Sequence, residues 1–198
     1  MEGYRASLVS IYSLLHRWTL SGGRERAAGA VQGRVLELGI GGGANLPYYR
    51  TVERLVGIDP RQKALLHSRQ EIGLSAVPFP VGLVRARAEA LPFSSGAFAA
   101  VIGTLVFCSI REASPALAEV RRVLKPGGTL HLVEHVLPAR GPLRLAIRLL
   151  APWWIRVSHE CHLDRDTVAT LRAAGFDGPV REQMGGILVE ISSRLVRK

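Results

Sequence analysis

One stretch near the start of the chain limits the possible folds more than any other. Residues 35–45 are Val-Leu-Glu-Leu-Gly-Ile-Gly-Gly-Gly-Ala-Asn, where apolar residues surround one carboxylate and lead into four glycines within five positions. The pattern predicts a buried strand that ends in a tight turn, whose glycines take positive φ angles and let the backbone approach a ligand closely. Asn45 as a cap and Pro47 in the first turn predict a helix directly afterwards, with its free amides facing the same place.

The glycine turn fits two kinds of nucleotide ligand. Gly39, Gly41 and Ala44 satisfy the G-x-G-x-x-A fingerprint of dinucleotide folds, which binds a pyrophosphate. The same turn satisfies E-x-G-x-G-x-G, with Glu37 two residues before the first glycine. A carboxylate repels a diphosphate but suits a ligand with positive charge, such as the ammonium and sulfonium groups of S-adenosylmethionine. Glu37 therefore favours a cationic nucleotide.

The rest of the chain alternates predicted strands with predicted helices. The uncharged run 97–107 is typical of a strand that is covered on both faces of a parallel sheet. Near the end, two strands at 180–183 and 187–195 must be antiparallel, because their connection is too short for a parallel return. The sequence thus predicts an α/β protein with a Rossmann-like, seven-stranded, mostly parallel sheet, an antiparallel C-terminal hairpin and helices on both faces. The other predicted strands cover 34–38, 54–60, 81–86 and 129–136, and the predicted helices cover 24–31, 46–50, 62–72, 114–124 and 164–174.

These elements form one predicted domain over residues 1–198, a length that supports a single core. Two amphipathic segments lie outside the alternation. Residues 1–22 contain a predicted helix, broken at 21–23, that packs on the core or forms a lid. Residues 137–163 form an insertion with arginines every four positions from 140 to 148, two tryptophans, and no acid from 137 to 157. The insertion predicts a substrate lid, a contact with a membrane surface, or a helix packed on the sheet with its arginines in water.

Charge and cysteine content bear on the possible partners. The formal net charge is +10 at pH 7, but only three of the 26 basic residues are lysines, and the arginines are spread along the chain. Scattered charge argues against a nucleic-acid-binding protein, which is the second function class considered for this scaffold. It leaves attraction to a membrane surface or to an acidic substrate open. Two cysteines are too few for a disulfide framework, which predicts a cytoplasmic protein.

Four features, in this order, resemble one protein family. They are Glu37-x-Gly39-x-Gly41-x-Gly43, the acid Asp59, the phrase AEALPF at 88–93 and the phrase RVLKPGG at 122–128. Together they resemble the class I S-adenosylmethionine-dependent methyltransferases over roughly residues 10–195. The acid at position 59, twenty residues after the first glycine, also has the offset at which a strand-end acid accepts from ribose hydroxyls.

Two subgroups of the family share further phrases with this chain. Residues 12–17 resemble the ubiquinone and menaquinone C-methyltransferases and the bacterial phospholipid N-methyltransferases. Residues 104–109, 134–136 and 161–165 resemble the membrane-associated thiol methyltransferases, and this match is longer. The resemblance therefore implies a small, hydrophobic acceptor, with a thiol favoured and a quinone or a phospholipid as the alternative. A cofactor-binding module without catalysis is a third function class.

The resemblance also implies roles for individual residues. S-Adenosylmethionine would be the cofactor and S-adenosylhomocysteine the product, with Tyr12 as a catalytic residue that closes the site. Beside this resemblance, the position of His135 just beyond the fifth predicted strand makes it a candidate general base or a structural hydrogen-bonding residue. Arg87 departs from the family, because many relatives carry an aspartate there for the adenine amino group. The implied cofactor-binding residues are Glu37, Gly39, Gly41, Gly43, Asn45, Asp59, Pro60, Ala88, Glu89, Thr104 and Leu105. The implied acceptor-lining residues are His16, Trp153, Trp154, Cys161 and His162.

The sequence predicts no metal site. His159, Cys161 and His162 crowd into four positions, but no second pair of ligands follows at a typical spacing. Cys161 is equally well explained as a lining residue of the acceptor pocket or as a small buried thiol in the core.

Overall fold

The computed structural model describes residues 20–75, 77–157 and 161–195. Its first helix, α1, covers residues 20–30 and leads into strand β1 (Gln32–Leu38). The remaining elements, in chain order, are a 3-10 turn (Leu46–Tyr48), β2 (Thr51–Ile58), α2 (Gln62–Ser75), β3 (Val81–Val84), β4 (Phe98–Thr104), α3 (Ala113–Val123), β5 (Leu124–His135), α4 (Pro142–Val157), α5 (Thr167–Ala173), β6 (Phe176–Asp177), β7 (Val180–Gln183), a second 3-10 turn (Met184–Gly186) and β8 (Leu188–Leu195).

One mixed sheet forms the centre of the fold. Its strand order is β3-β2-β1-β4-β5-β8-β6, and β7 also pairs with β8. Strands β1 to β5 are parallel, whereas β8 runs antiparallel to β5 and to both β6 and β7. The predicted Rossmann-like fold with an antiparallel C-terminal hairpin is confirmed. The predicted count of seven strands was one too low, because β6 has only two residues and leaves no alternation to recognise.

Helices cover both faces of this sheet, and β4 at its centre (FAAVIGT) accordingly carries no charged residue. Along β1, Leu36 and Leu38 face one hydrophobic cluster, which α3 completes, whereas Val35 faces the other, which α1 completes. Successive side chains of a strand point to opposite faces, so this run supplies both clusters at once. The packing explains the absence of polar alternation in the sequence.

Three predictions about local structure were wrong, each because packing or a competing side chain overrode the local signal. The helix predicted after the glycine turn is only the 3-10 turn Leu46–Tyr48, and Asn45 makes no side-chain cap there. The predicted break at 21–23 is absent: α1 runs through these residues, and a Cβ on Gly23 would lie 3.2 Å from Val133. The strand predicted to begin at 129 begins at Leu124: α3 ends at Val123, as the stop signal at 125–128 predicts, but residues 125–128 belong to β5, where the pairing with β4 shifts register.

The two segments outside the alternation have different outcomes. Within 137–163 the structure contains α4, a helix whose buried line includes Ile147 and Ala151. Of the segment 1–22, residues 1–19 lie outside the described part of the chain, so the predicted lid helix stays a prediction. Residues 20–22 belong to α1.

Gly57 in β2 gives a direct test of how the sheet fixes the glycine turn. A Cβ there would lie 2.3 Å from Cδ1 of Ile40, whose amide donates to the carbonyl of Ile58 at 2.9 Å. We expect Gly57→Ala to lower the free energy of unfolding by about 1–3 kcal/mol, because Ile40 must move out of its packing. Urea titration followed by circular dichroism measures this change.

Gly82 in β3 supplies the matched control. It is also a strand glycine, but a Cβ there would meet nothing within 4 Å. Gly82→Ala should leave stability unchanged or raise it by up to about 1 kcal/mol, because alanine reduces the entropy of the unfolded chain. Equal destabilisation by the two substitutions would contradict the packing explanation.

Candidate functional site

The carboxyl ends of the parallel strands bring most of the predicted site residues to one edge of the sheet. The glycine turn follows β1, Asp59 follows β2, Thr104 ends β4 and His135 ends β5. Ligands of open α/β sheets bind at this edge, where the strand order reverses. Here the reversal falls between β1 and β4, the two strands next to the glycine turn.

The glycine turn combines close packing on two sides with open space in its middle. Gly39, Gly41 and Gly43 all have positive φ angles, of 59°, 58° and 82°. A Cβ on Gly39 would lie 2.7 Å from Val106, and one on Gly43 would lie 2.7 Å from Leu46. A Cβ on Gly41 would have only a carbonyl of the turn itself within 4 Å, at 3.8 Å. Gly41 thus leaves room for a ligand at the backbone.

Glu37 is buried beneath this turn, and its carboxylate is held by residues of its own chain. Asn45 donates to Oε1 at 2.8 Å, and the Tyr49 hydroxyl donates to Oε2 at 2.7 Å. Burial raises the pKa of Glu37 to about 7, although both hydrogen bonds oppose the rise. Asn45 also donates to the Thr104 hydroxyl at 3.1 Å, which links the ends of β1 and β4.

This arrangement assigns Asn45 a different task from the predicted helix cap. Its side chain is used by Glu37 and Thr104, so the adjacent segment does not continue as an α-helix. Tyr49 was not singled out from the sequence, where it follows Tyr48 inside the predicted helix at 46–50. Burial and the Glu37 carboxylate raise the pKa of Tyr49 well above its ordinary value, so its hydroxyl stays protonated and donates.

Asp59 lies buried at the end of β2, as predicted, and Arg61 covers it. The backbone amide of Arg61 donates to Oδ1 at 2.9 Å, and its guanidinium forms an ion pair at 3.1 Å. The Arg61 side chain is 70% exposed, so its charge stands at the surface while Asp59 lies beneath it. Pro60 accepts from Arg85 through its carbonyl oxygen at 3.1 Å. Arg61 was not predicted from the sequence as a partner of Asp59.

On the predicted adenine side, Arg87 has a local counter-ion. Its guanidinium lies 3.2 Å from the Glu89 carboxylate, and the backbone of Arg87 pairs with that of Ala90. Ala88 is buried between them. The positive charge of Arg87 is therefore offset by Glu89.

A buried carboxylate that the sequence analysis did not single out fixes the loop after β4. Glu134 has no exposed surface and accepts backbone amides of Val106 at 2.8 Å, Phe107 at 3.0 Å and Cys108 at 3.2 Å. Burial raises the pKa of Glu134, and these three amides oppose the rise. The signal that was available is a lone acid at the carboxyl end of an apolar strand, the same signal that pointed to Asp59.

The segment 161–165 holds the same loop from the other side. Arg165 donates to the carbonyls of Phe107, at 2.9 Å, and Ile110. The backbone amide of His162 donates to the carbonyl of Cys108 at 2.8 Å. Leu105 begins this loop with a φ of 56°, a left-handed conformation that is rare for leucine. The loop after β4 is therefore tied down at successive peptide groups.

These hydrogen bonds between the loop after β4, the end of β5 and the segment 161–165 bring three reactive side chains together. Cys108, His135 and Cys161 are all buried, and one ligand atom from each lies within 4.8 Å of the others. The Cys161 sulfur lies 3.5 Å from Nδ1 of His135. A hydrogen bond from Cys108 lowers the pKa of Cys161 to about 5, with smaller contributions from His135 and Trp154, whereas the same contact raises the pKa of Cys108.

The predicted acceptor-lining residues separate into three groups. Trp154 contacts Cys161, which places both beside His135. Trp153 is 62% exposed, and His162 lies 3.8 Å from Asp164 with about a third of its side chain exposed. Tyr12, His16 and His159 lie outside the described residues, and their roles stay predictions.

Comparison with known proteins agrees with this geometry. Residues 36–132 match the sequence model of a family described as a methyltransferase domain. The thiol S-methyltransferase TMT1B of Rattus norvegicus is 34% identical over 146 residues, which cover 72% of this chain and 59% of that protein. The phosphatidylethanolamine N-methyltransferase of Cereibacter sphaeroides is 32% identical over 134 residues, which cover 65% and 64%. The chain thus spans about three fifths of the length of these curated relatives.

A solved structure shows the same fold. The SAM-dependent methyltransferase from Aquifex aeolicus superposes with a TM-score of 0.62 at 18% sequence identity, covering 82% of each chain. At this identity the likeness concerns the fold alone.

Glu134 provides a test of the loop after β4. Glu134→Gln replaces one acceptor oxygen by a donor, which leaves at least one buried amide of the loop without an acceptor. We expect the free energy of unfolding to fall by about 2–3 kcal/mol. Urea titration measures this, and hydrogen exchange should show faster exchange at Val106, Phe107 and Cys108.

Glu182→Gln, on an exposed position of β7, is the matched control and should change stability by less than about 0.5 kcal/mol. Unchanged exchange of the three loop amides in Glu134→Gln would contradict the assigned role of Glu134.

Proposed function

Because the chain belongs to the class I S-adenosylmethionine-dependent methyltransferases, we propose that it transfers the methyl group of S-adenosylmethionine to the sulfur of a small, hydrophobic thiol. One observation carries the proposal: the open glycine turn after β1 and the buried Asp59 after β2 stand on the same edge of the sheet, next to the fixed loop after β4. The likeness to a relative named thiol S-methyltransferase supports sulfur as the acceptor atom.

The residues at this edge fit the proposed cofactor. Gly41 leaves backbone space for the methionine part, and Asp59 offers a carboxylate to the ribose hydroxyls in place of Arg61. The Glu37 carboxylate beneath the turn favours positive charge above it. When bound, the sulfonium supplies an activated methyl group and a neutral leaving group. Ala88 and Glu89 would line the adenine side, as the sequence predicts.

The protein's own contribution is chiefly positioning, because the cofactor provides the driving force. Glu134 and Arg165 hold the loop after β4 through five hydrogen bonds to its backbone, which would give the acceptor a rigid wall. An acceptor thiol must also lose its proton, since the thiolate is the nucleophile. His135 at the end of β5 is the general base that the sequence predicts for this step.

The surface of α4 supports a peripheral contact with an anionic membrane. Leu145, Leu149 and Trp153 form a stripe that is 63%, 72% and 62% exposed, on the side of the helix opposite the buried Ile147 and Ala151. The helix carries arginines and no acid. Exposed apolar residues next to arginines suit a surface of anionic lipid headgroups, where a hydrophobic acceptor would also be found. Within the described residues, no helix has the length and apolar character needed to span a membrane.

Asp59 allows a test of cofactor binding. We expect Asp59→Asn to weaken S-adenosylmethionine binding roughly ten- to hundredfold, the equivalent of a lost hydrogen bond to a charged group. Isothermal titration calorimetry measures the affinity, and S-adenosylhomocysteine should show the same loss because it has the same ribose. Asp177→Asn, on the exposed end of β6, is the matched control and should bind like the unaltered chain.

The acceptor class is tested by transfer of a labelled methyl group. We expect label in alkyl and aryl thiols and none in quinols or phosphatidylethanolamine. His135→Ala should reduce turnover of thiols while S-adenosylmethionine binding is kept. Transfer to a quinol or to the lipid amine alone would replace the thiol by the corresponding alternative. Tight cofactor binding with no transfer to any acceptor would identify a cofactor-binding module.

Vesicle co-sedimentation tests the contact through α4. The chain should sediment with phosphatidylglycerol vesicles at low salt and less at high salt, because added ions screen the arginines. The combined variant Leu145→Ser, Leu149→Ser and Trp153→Ser should abolish this binding. Replacement of two exposed leucines of α2, Leu66→Ser and Leu74→Ser, is the control and should leave it intact. Equal loss in both variants, or no binding by the unaltered chain, would rule the contact out.

A further inference from the structure

We propose that Cys108, His135 and Cys161 form a zinc site with three protein ligands and a fourth position open to the acceptor thiol. The three side chains come from the loop after β4, the end of β5 and the segment that precedes α5. Their ligand atoms lie within 4.8 Å of one another, and all three residues are buried. The part of the proposal that concerns the acceptor rests on the proposed thiol methylation, whereas the metal site itself does not.

The distances within the cluster suit zinc. Zinc binds cysteine sulfur at about 2.3 Å and histidine nitrogen at about 2.0–2.1 Å in tetrahedral geometry, which places the two ligand atoms about 3.6 Å apart. The Cys161 sulfur and Nδ1 of His135 are 3.5 Å apart. Two thiolates and one imidazole are ligands that select zinc over the hard cations magnesium and calcium. Their combined charge of about −2 also cancels that of the ion.

The backbone holds these ligands in place before any ion arrives. At Cys108, the amide donates to Glu134 and the carbonyl accepts from the amide of His162, the residue after Cys161. His135 follows Glu134 directly along β5. One carboxylate and one backbone hydrogen bond therefore connect all three ligand positions. Such supporting contacts orient metal ligands in known sites.

Three ligands leave one position of a tetrahedral ion for a small molecule, which is the arrangement of catalytic zinc sites. Cys108 is fully buried, whereas His135 and Cys161 keep 7% and 8% of their surface exposed. The open position therefore faces the side of His135 and Cys161, where Trp154 also contacts the Cys161 sulfur.

At a zinc ion held by these three ligands, the acceptor sulfur would bind the metal, and the thiol proton would pass to water. The sulfur then forms a bond to the methyl carbon while the carbon–sulfur bond of the sulfonium breaks, with its electron pair going to the donor sulfur. The products are a thioether and S-adenosylhomocysteine, and the thioether leaves because it is a poorer ligand than a thiolate. With zinc bound, the metal would ionise the acceptor, and His135 would be a metal ligand in place of the general base that the sequence predicts.

Metal analysis of the full chain tests the site. The protein is purified with a phosphine reductant, stripped with a chelator and titrated with Zn²⁺, and bound metal is measured by mass spectrometry. We expect one tightly held equivalent. Titration with Co²⁺ should give a thiolate-to-cobalt charge-transfer band of the same stoichiometry, and added ethanethiol should change the cobalt spectrum by filling the fourth position.

Four single variants assign the ligands. Cys108→Ser, Cys161→Ser and His135→Gln should each weaken zinc binding at least tenfold, whereas His162→Gln should retain it. His162 is the matched control, since it neighbours Cys161 but points toward Asp164. Circular dichroism checks that each variant folds. The cobalt spectrum of the unaltered chain tests the site even if a variant fails to fold.

Several outcomes would overturn the site. One is a reduced chain that binds neither Zn²⁺ nor Co²⁺; if thiol counting then shows that the two cysteines oxidise together in air, the cluster is a disulfide-forming pair. Another is binding that survives the double variant Cys108→Ser and Cys161→Ser. Calorimetry with S-adenosylmethionine on the same samples separates the two proposals. Cofactor binding without metal rejects only the zinc site, and metal binding without cofactor binding rejects only the methyltransferase proposal.

Discussion

The contact between the Glu134 carboxylate and three consecutive backbone amides is the interaction on which the site depends. A buried carboxylate is costly unless hydrogen-bond donors surround it, and backbone amides that leave a strand are costly unless they find acceptors. At the end of β5 each group satisfies the other. The loop after β4 therefore needs no regular secondary structure to be fixed, and it can turn sharply at Leu105 toward the edge where ligands bind.

A second buried acid has a parallel use two strands away. Glu37 at the end of β1 holds Asn45 and Tyr49, and through Asn45 it reaches Thr104 at the end of β4. The two acids thus stabilise the loops on either side of the point where the strand order reverses. Both carboxylates are buried at strand ends and bind the loops from their protein-facing side. The space next to Gly41 therefore stays open.

Much of the fold could be predicted because its signals are local. Apolar runs predicted strands β1 to β5, and the short connection near Met184 predicted that β7 and β8 pair antiparallel. The spacing from Gly39 predicted Asp59 as a site residue. The predictions that were wrong depended on tertiary contacts: Asn45 bonds to Glu37 instead of capping a helix, and Gly23 packs on Val133 instead of breaking one. No spacing rule joins Cys108 and Cys161, since only the folded loop brings them together. The search for metal ligands in the sequence compared neighbours along the chain, and so it did not group Cys108 and His135 with Cys161.

Arg61 competes with a bound nucleotide for the Asp59 carboxylate. Its guanidinium already neutralises Asp59 in the free protein, so the carboxylate has a partner whether or not a ribose is present. A nucleotide that takes this place exchanges one set of hydrogen bonds for another, and the displaced guanidinium, already mostly hydrated, is released to water at little cost. The strength of binding then reflects the difference between two competitors for one acid. The strand end that receives the ligand can accordingly keep the same structure with and without a bound nucleotide.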